Sequence, residues 1–222
     1  MKHIRPFLLA LSLLLCLALP AWAEQTPATS TDAPVAAKLS AKEQADVNRI
    51  EAYLNDLKSV GANFLQVSDS GNLRHGALSI QRPGKMRVVY DAPDKDFIVA
   101  DGSRLNIWDD EMGQQTTVGL DEGMASFILR ENIKLSGDVV VTRFVRFPAK
   151  IEVSLVSVKE PHEGELTLIF EDNPLKLRQW RILDPQGRTT GVNLENAREG
   201  IEFPENTFVF VSPKLGKNNY NK

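Results

Sequence analysis

Apolar side chains recur along this chain with two different periods. Between residues 40 and 58 they fall at helical spacing, Val47, Ile50, Leu54 and Leu57, with Glu51, Asn55 and Lys58 off the stripe. In front of them Ser40-Ala-Lys-Glu43 has the capping-box pattern, in which serine and glutamate satisfy each other's orphan backbone donors, so a helix starts there. From Asn63 onward the period falls to two. Short runs rich in Val, Ile, Phe and Thr are separated by turn clusters such as Asp69-Ser-Gly-Asn72, Pro83-Gly84 and Asp184-Pro-Gln-Gly187. These predict strands over 62–68, 75–82, 85–91, 96–101, 104–109, 114–118, 139–147, 150–158, 164–171, 176–184, 188–196 and 207–211. One stretch inside the strand region is helical instead: residues 121–130, where Asp121 can cap and Met124, Phe127 and Ile128 share one side.

The connections between strands are short, which favours an antiparallel meander, because parallel neighbours need long crossovers. The fold class is therefore mainly β (α+β): one large curved sheet with two amphipathic helices available to cover it. A sheet of that size must bury a face by curling on itself, by stacking, or by receiving helices. Whether the helices fill that space as a core or cover a hollow is open at this level. The parity of Phe97 to Ala100 is open too, since both sides of that run are apolar.

One position breaks the alternation. Leu78, Ile80 and Arg82 share a face, with Ala77, Ser79 and Gln81 on the other, so a guanidinium follows two core residues. Arginine cannot shed its charge and has five donors to satisfy, so burying it alone is too costly. Either Arg82 bends into water beside the Pro83-Gly84 turn, or it bonds backbone carbonyls or a carboxylate on a covering helix. Across the turn Met86, Val88 and Tyr90 form another apolar set, and Arg87 points away.

The ends of the chain add context. Residues 1–23 have a basic start, an apolar run from Phe7 to Leu19 and an Ala21-Trp22-Ala23 ending, the pattern of a secretory signal peptide cleaved before Glu24. The run is short for a bilayer span. The single cysteine, Cys16, lies within it and lacks the small neighbour of a lipoprotein cleavage site. An exported chain without disulfide, cysteine metal site or cysteine nucleophile is expected. Residues 24–39, rich in Ala, Thr and Pro, read as a disordered spacer. A single domain then spans 40–213, and 214–222 is a polar tail.

With 26 basic against 29 acidic residues the chain is mildly acidic and has no basic face for nucleic acid. No Gly-x-Ser-x-Gly elbow, His-Glu-x-x-His or phosphate loop is present. Past the leader only His75 and His162 remain, and Asp109-Asp110-Glu111 and Glu171-Asp172 read as solvated turns. No enzyme, no cofactor and no metal are expected.

The run Gly76-x-Leu-x-Ile-x-Arg-Pro-Gly-Lys-Met-Arg-x-x-Tyr-Asp-x-Pro93, followed by Val99-x-Asp-Gly-x-x-Leu105, resembles the LolA family of periplasmic lipoprotein carriers. So do Leu166-x-Leu-x-Phe170, then Leu177 through Asp184 with Gly187-Arg-Thr, and Phe203 to Pro213. The resemblance implies an unclosed antiparallel β-barrel of about 11 strands, with a helical lid over a hydrophobic cavity that takes lipoprotein acyl chains. It implies a monomeric periplasmic carrier moving lipoproteins from the inner to the outer membrane. The implied partners are acylated lipoproteins, an inner-membrane ABC transporter of the LolCDE type and an outer-membrane receptor of the LolB type. In that family the arginine matching Arg82 bonds the lid and holds the empty carrier closed. Met86 and Val88 stand where the family often has an aromatic and a tryptophan, which makes the lining more pliable.

Such a cavity needs apolar walls and few polar groups. The expected acyl lining is Leu78, Ile80, Met86, Val88, Tyr90, Leu105 and Ile107 from strands, with Phe127 and Ile128 from the covering helix. The alternative is a periplasmic lipid-binding sensor, or a carrier of another lipid such as a glycolipid, on the same fold.

Overall fold

The computed structural model describes residues 33–120 and 126–216, all within one compact unit, Ala33–Lys222. The expected signal peptide with Cys16, most of the spacer, Asp121 and Met124 of the second helix, and the end of the tail lie outside the described residues.

Helix α1 covers Ala41–Asp56. It begins where the capping box sets it: the Ser40 N–H donates to Glu43 at 2.8 Å, and the Glu43 N–H donates to Ser40 Oγ at 3.3 Å. Val47, Ile50 and Leu54 are buried, as the 3.6 period requires. Ser40→Ala should cost about 1 kcal/mol of stability, the usual value of an N-cap, read from the shift of a urea unfolding midpoint at unchanged slope.

Eleven strands follow: β1 Ser59–Val67, β2 Leu73–Gln81, β3 Lys85–Tyr90, β4 Phe97–Asp101, β5 Arg104–Asp109, β6 Gln114–Gly119, β7 Val139–Arg146, β8 Lys150–Ser157, β9 Glu165–Glu171, β10 Lys176–Leu183 and β11 Thr189–Glu199. They form one antiparallel sheet in the order β6-β5-β4-β3-β2-β1-β11-β10-β9-β8-β7. The two hairpin meanders join through β1 and β11, and β6 and β7 remain unpaired with each other, so the sheet curls without closing. Between them a single described turn of helix, α2 Ser126–Leu129, carries the end of the second predicted helix.

The inner face is one apolar cluster. Val60, Ala62 and Phe64 of β1 meet Leu78 and Ile80 of β2, Ile151, Val153 and Leu155 of β8, and Leu166, Leu168 and Phe170 of β9, with the α1 stripe packed among them. Residues 33–39 run without helix or strand beside the β7 edge, the Ala37 N–H donating to the Val141 carbonyl at 2.8 Å. Ala37 and Leu39 pack on the cluster.

The strand expected at 207–211 does not form. Strands β1 to β5 are already paired on both sides, so the closing segment meets a sheet face and has no edge to extend. Its backbone bonds locally, Thr207 N–H to Pro204 and Val209 N–H to Asn206. Its side chains do the docking: Phe210 tilts against Phe97, Phe208 meets Phe203 edge-on, and Lys214 lies over Trp108. Arg87, pointing outward as its parity requires, reaches the Thr207 carbonyl at 3.4 Å. This strap explains why both parities of β4 are apolar. Ala100 belongs to the inner cluster, and Val99 is fully buried on the outer side. No helix among the described residues is long and apolar enough to cross a membrane.

Candidate functional site: an arginine under the lid

Arg82 follows directly on β2, inward of Leu78 and Ile80, and it does not bend into water: 8% of it is exposed. All five of its N–H groups are used. Nη1 donates to the carbonyls of Leu54 and of Leu57, the latter at 3.1 Å. Nε and Nη2 donate to the Arg130 carbonyl at 2.9 and 2.6 Å, and Nη2 also reaches the Glu131 carbonyl at 3.1 Å. Helix α1 has no basic residue in its last turn, so its final carbonyls lack a partner of their own. Arg82 supplies both hydrogen bonds and positive charge at the negative end of the helix dipole. Burial lowers its pKa from the ordinary value, yet an arginine stays charged. Every ligand is a neutral carbonyl, so no counter-charge locks it in place.

The turn beside it adds to the grip. Gly84 takes a φ of +75°, and its N–H donates to the Leu129 carbonyl at 2.8 Å. The Arg82 N–H donates to Lys58 at 2.8 Å. Helix α1 and residues 129–135 thus form one covering element. The Asn55 amide pairs with Ile133 in both directions, at 2.9 and 2.8 Å, and Glu51 binds Lys134 and the Leu135 N–H. Burial opposes the Glu51 charge, but the Lys134 contact and the Leu135 N–H together outweigh it, and its pKa falls.

Under this cover lies an apolar hollow of about 20 Å³, room for about one water. Its walls include Leu54, Leu57, Leu78, Ile80, Ile128 and Trp180, with Arg82 at the rim. Of the expected lining, Leu78, Ile80 and Ile128 face this space. Phe127 is buried in the same cluster, and Met86, Val88, Tyr90 and Leu105 pack against it half-buried. Ile107 shares the parity of Leu105 and is half-buried, but it is not among the side chains packed on the cluster. The space beneath this cover is close to filled.

Two features were missed from sequence. The first is Arg74, on the inward parity eight residues before Arg82 and one residue before the strand predicted over 75–82. It binds Asp94 at 3.0 Å and Asp96 at 2.6 Å and lies 3.7 Å over the Tyr90 ring. Burial works against its charge, but the two aspartates outweigh it and its pKa rises.

The second is an ion-pair ring at the other half of the lid. Arg49 binds Asp172 at 2.8 Å and Asp46 at 3.1 Å, and Arg146 binds the same two carboxylates at 2.6 Å each. Asp172 is therefore no solvated turn residue: it is buried, and the Arg49 hydrogen bond holds its pKa below the usual carboxylate range. Among the described residues no cluster of His, Cys, Asp and Glu is arranged to hold a metal ion.

Residues 55–211 match the family model described as outer membrane lipoprotein carrier protein LolA. An outer-membrane lipoprotein carrier protein of Chromobacterium violaceum is 28% identical, covering 83% of this chain and 92% of the relative. One from Legionella pneumophila is 26% identical, covering 77% and 88%. Among solved structures, a LolA superfamily protein from Nitrosomonas europaea aligns with a TM-score of 0.43 at 10% identity, over 74% of this chain and 97% of that one.

Proposed function

This chain belongs to the LolA family of outer membrane lipoprotein carrier proteins, and we propose that it shelters lipoprotein acyl chains in the space beneath α1 and carries them through the periplasm from the inner to the outer membrane. The observation that carries this reading is the placement of Arg82. A residue whose five donors all grip the carbonyls of a cover, beside an apolar hollow, is a fastening for a lid that opens.

The chemistry of the cargo demands such a device. Exposing an acyl chain of roughly 16 carbons to water costs on the order of 12 kcal/mol at about 0.8 kcal/mol per methylene. No polar site compensates that, and only apolar walls do. The closed hollow is far too small for such a chain, so loading requires α1 to swing away, exchanging its own apolar stripe for the acyl chains against the same sheet face. Val47, Ile50 and Leu54 are then the stand-ins for cargo in the empty protein. An acyl-bound open form and a self-filled closed form compete for one surface, which is how a carrier both holds its load and gives it up.

With no nucleotide motif in the chain, the work of loading falls to an inner-membrane transporter of the LolCDE type, and a LolB-type receptor takes the cargo. Depletion followed by membrane fractionation tests this: lipoproteins should accumulate in the inner membrane. Unchanged lipoprotein distribution, together with copurification of a glycolipid or of nothing by mass spectrometry, would replace the reading with a different lipid or a sensing role.

A further inference from the structure

Moving down β2 away from the lid, the inward residues are Arg82, Ile80, Leu78, Gly76 and Arg74, so the apolar lane is bounded by a guanidinium at each end. At about 3.3 Å per residue, Arg82 to Gly76 spans roughly 20 Å. What lies at Gly76 decides how much of that length a chain can use. A side chain there would collide first with the Val89 carbonyl oxygen and then with the Phe64 ring, 2.7 Å from the position of its Cβ, so the glycine admits both the neighbouring backbone and the aromatic. Phe64 meets Tyr90 edge-on, with ring centroids 5.4 Å apart, and Tyr90 is the ladder partner of Gly76. The two perpendicular rings stand at the Gly76 end of the lane.

The Tyr90 ring is held in place. Its hydroxyl donates to Gln66 Oε1 at 2.8 Å, and the Arg74 guanidinium lies over the ring, 3.7 Å from its centroid. Arg74 is fixed by Asp94 and Asp96, and Asp96 accepts the Asp110 N–H at 2.9 Å, which ties the brace to the next hairpin. An alkyl chain that passed the ring would enter a site of ion pairs that it can neither hydrogen-bond nor displace cheaply.

We propose that Tyr90, braced by Arg74 and Gln66, is the floor of the acyl space and sets the length of chain that this protein accepts. The proposal rests on the carrier reading and adds a limit to it: contacts are gained with each methylene until the terminal methyl reaches the ring, and none after.

The test is displacement of a fluorescent fatty acid from the full-length protein by saturated fatty acids of increasing length. In the wild-type protein affinity should rise by up to about fourfold per added methylene and then stop rising at a defined length. In Tyr90→Ala the break should move to chains at least two carbons longer, and in Tyr90→Trp to shorter ones, whereas Tyr90→Phe, which keeps the ring, should leave it in place. Because Tyr90→Ala removes packing, Tyr90→Trp serves as the second arm should the first fail to fold. A break at the same length in every folded variant would overturn the floor and leave the carrier intact. A wild-type protein that binds no chain of any length would overturn the carrier reading and the floor with it.

Discussion

Arg82→Leu should bind a fluorescent acyl probe roughly thirty-fold more tightly than the wild-type protein and surrender it more slowly to acceptor membranes. Arg82 bonds the carbonyls of Leu54, Leu57, Arg130 and Glu131; on the carrier reading these bonds are made only while the lid is down, so they would stabilise the closed, empty form and contribute nothing to a loaded one. Leucine and entering water recover part of what is lost. A net difference of about 2 kcal/mol, the scale of one hydrogen bond to a charged group, shifts the open fraction by roughly thirty-fold. While the open form remains the minority, apparent affinity rises in proportion. Delivery suffers for the same reason, because re-forming those bonds is part of what drives the chain out. Unchanged probe affinity in a folded Arg82→Leu protein would show that the arginine is a piece of static structure.

The sheet was legible because alternation survives wherever one side of a strand faces the core. β2 and β3 are the clearest cases, where Leu78, Ile80, Met86 and Val88 fall on the inner face. The ambiguous strand was β4, and the reason is physical: the closing segment covers its outer side, so Phe97 and Val99 are apolar for a second, unrelated contact. The same segment imitates a strand through Phe208, Val209 and Phe210 but lies over a sheet face and pairs with no strand. Local pattern reports that a residue wants to be buried, and it is silent on what buries it. Arg82 stood out because a charge interrupted an apolar parity. Arg74 escaped because it lies at the strand end, where polar residues are ordinary. The four members of the ion-pair ring escaped because each resembles a solvated charge until the chain brings positions 46, 49, 146 and 172 together.

That ring carries the second large effect, and it acts on stability where Arg82 acts on affinity. Asp172→Asn should destabilise the protein by about 3 kcal/mol, read by urea unfolding. Breaking a buried pair from one side commonly costs about 3–5 kcal/mol, and the lower end applies because Arg49 and Arg146 keep 41% and 30% of their side-chain surface in water. The effect has a pH signature. The Arg49 and Arg146 contacts hold the Asp172 pKa below that of the unfolded chain. Its contribution is therefore complete above the unfolded value of about 3.9 and is lost as pH falls through the lower folded value. Wild-type stability should drop steeply in that acid range, and the Asp172→Asn protein should lose less there. Acyl affinity is the discriminating control. The ring joins the first half of α1 to the end of β7 and the turn after β9, whereas Arg82 holds the opposite end of the helix beside the hollow. If the helix swings from the Arg82 end, the ring persists in both the empty and the loaded protein. Asp172→Asn then lowers stability equally in both and leaves probe affinity within about threefold, the size of a difference too small to count as a state-specific contact. A large gain in affinity from Asp172→Asn would mean that the ring, too, opens on loading, and that the lid leaves the sheet as a whole.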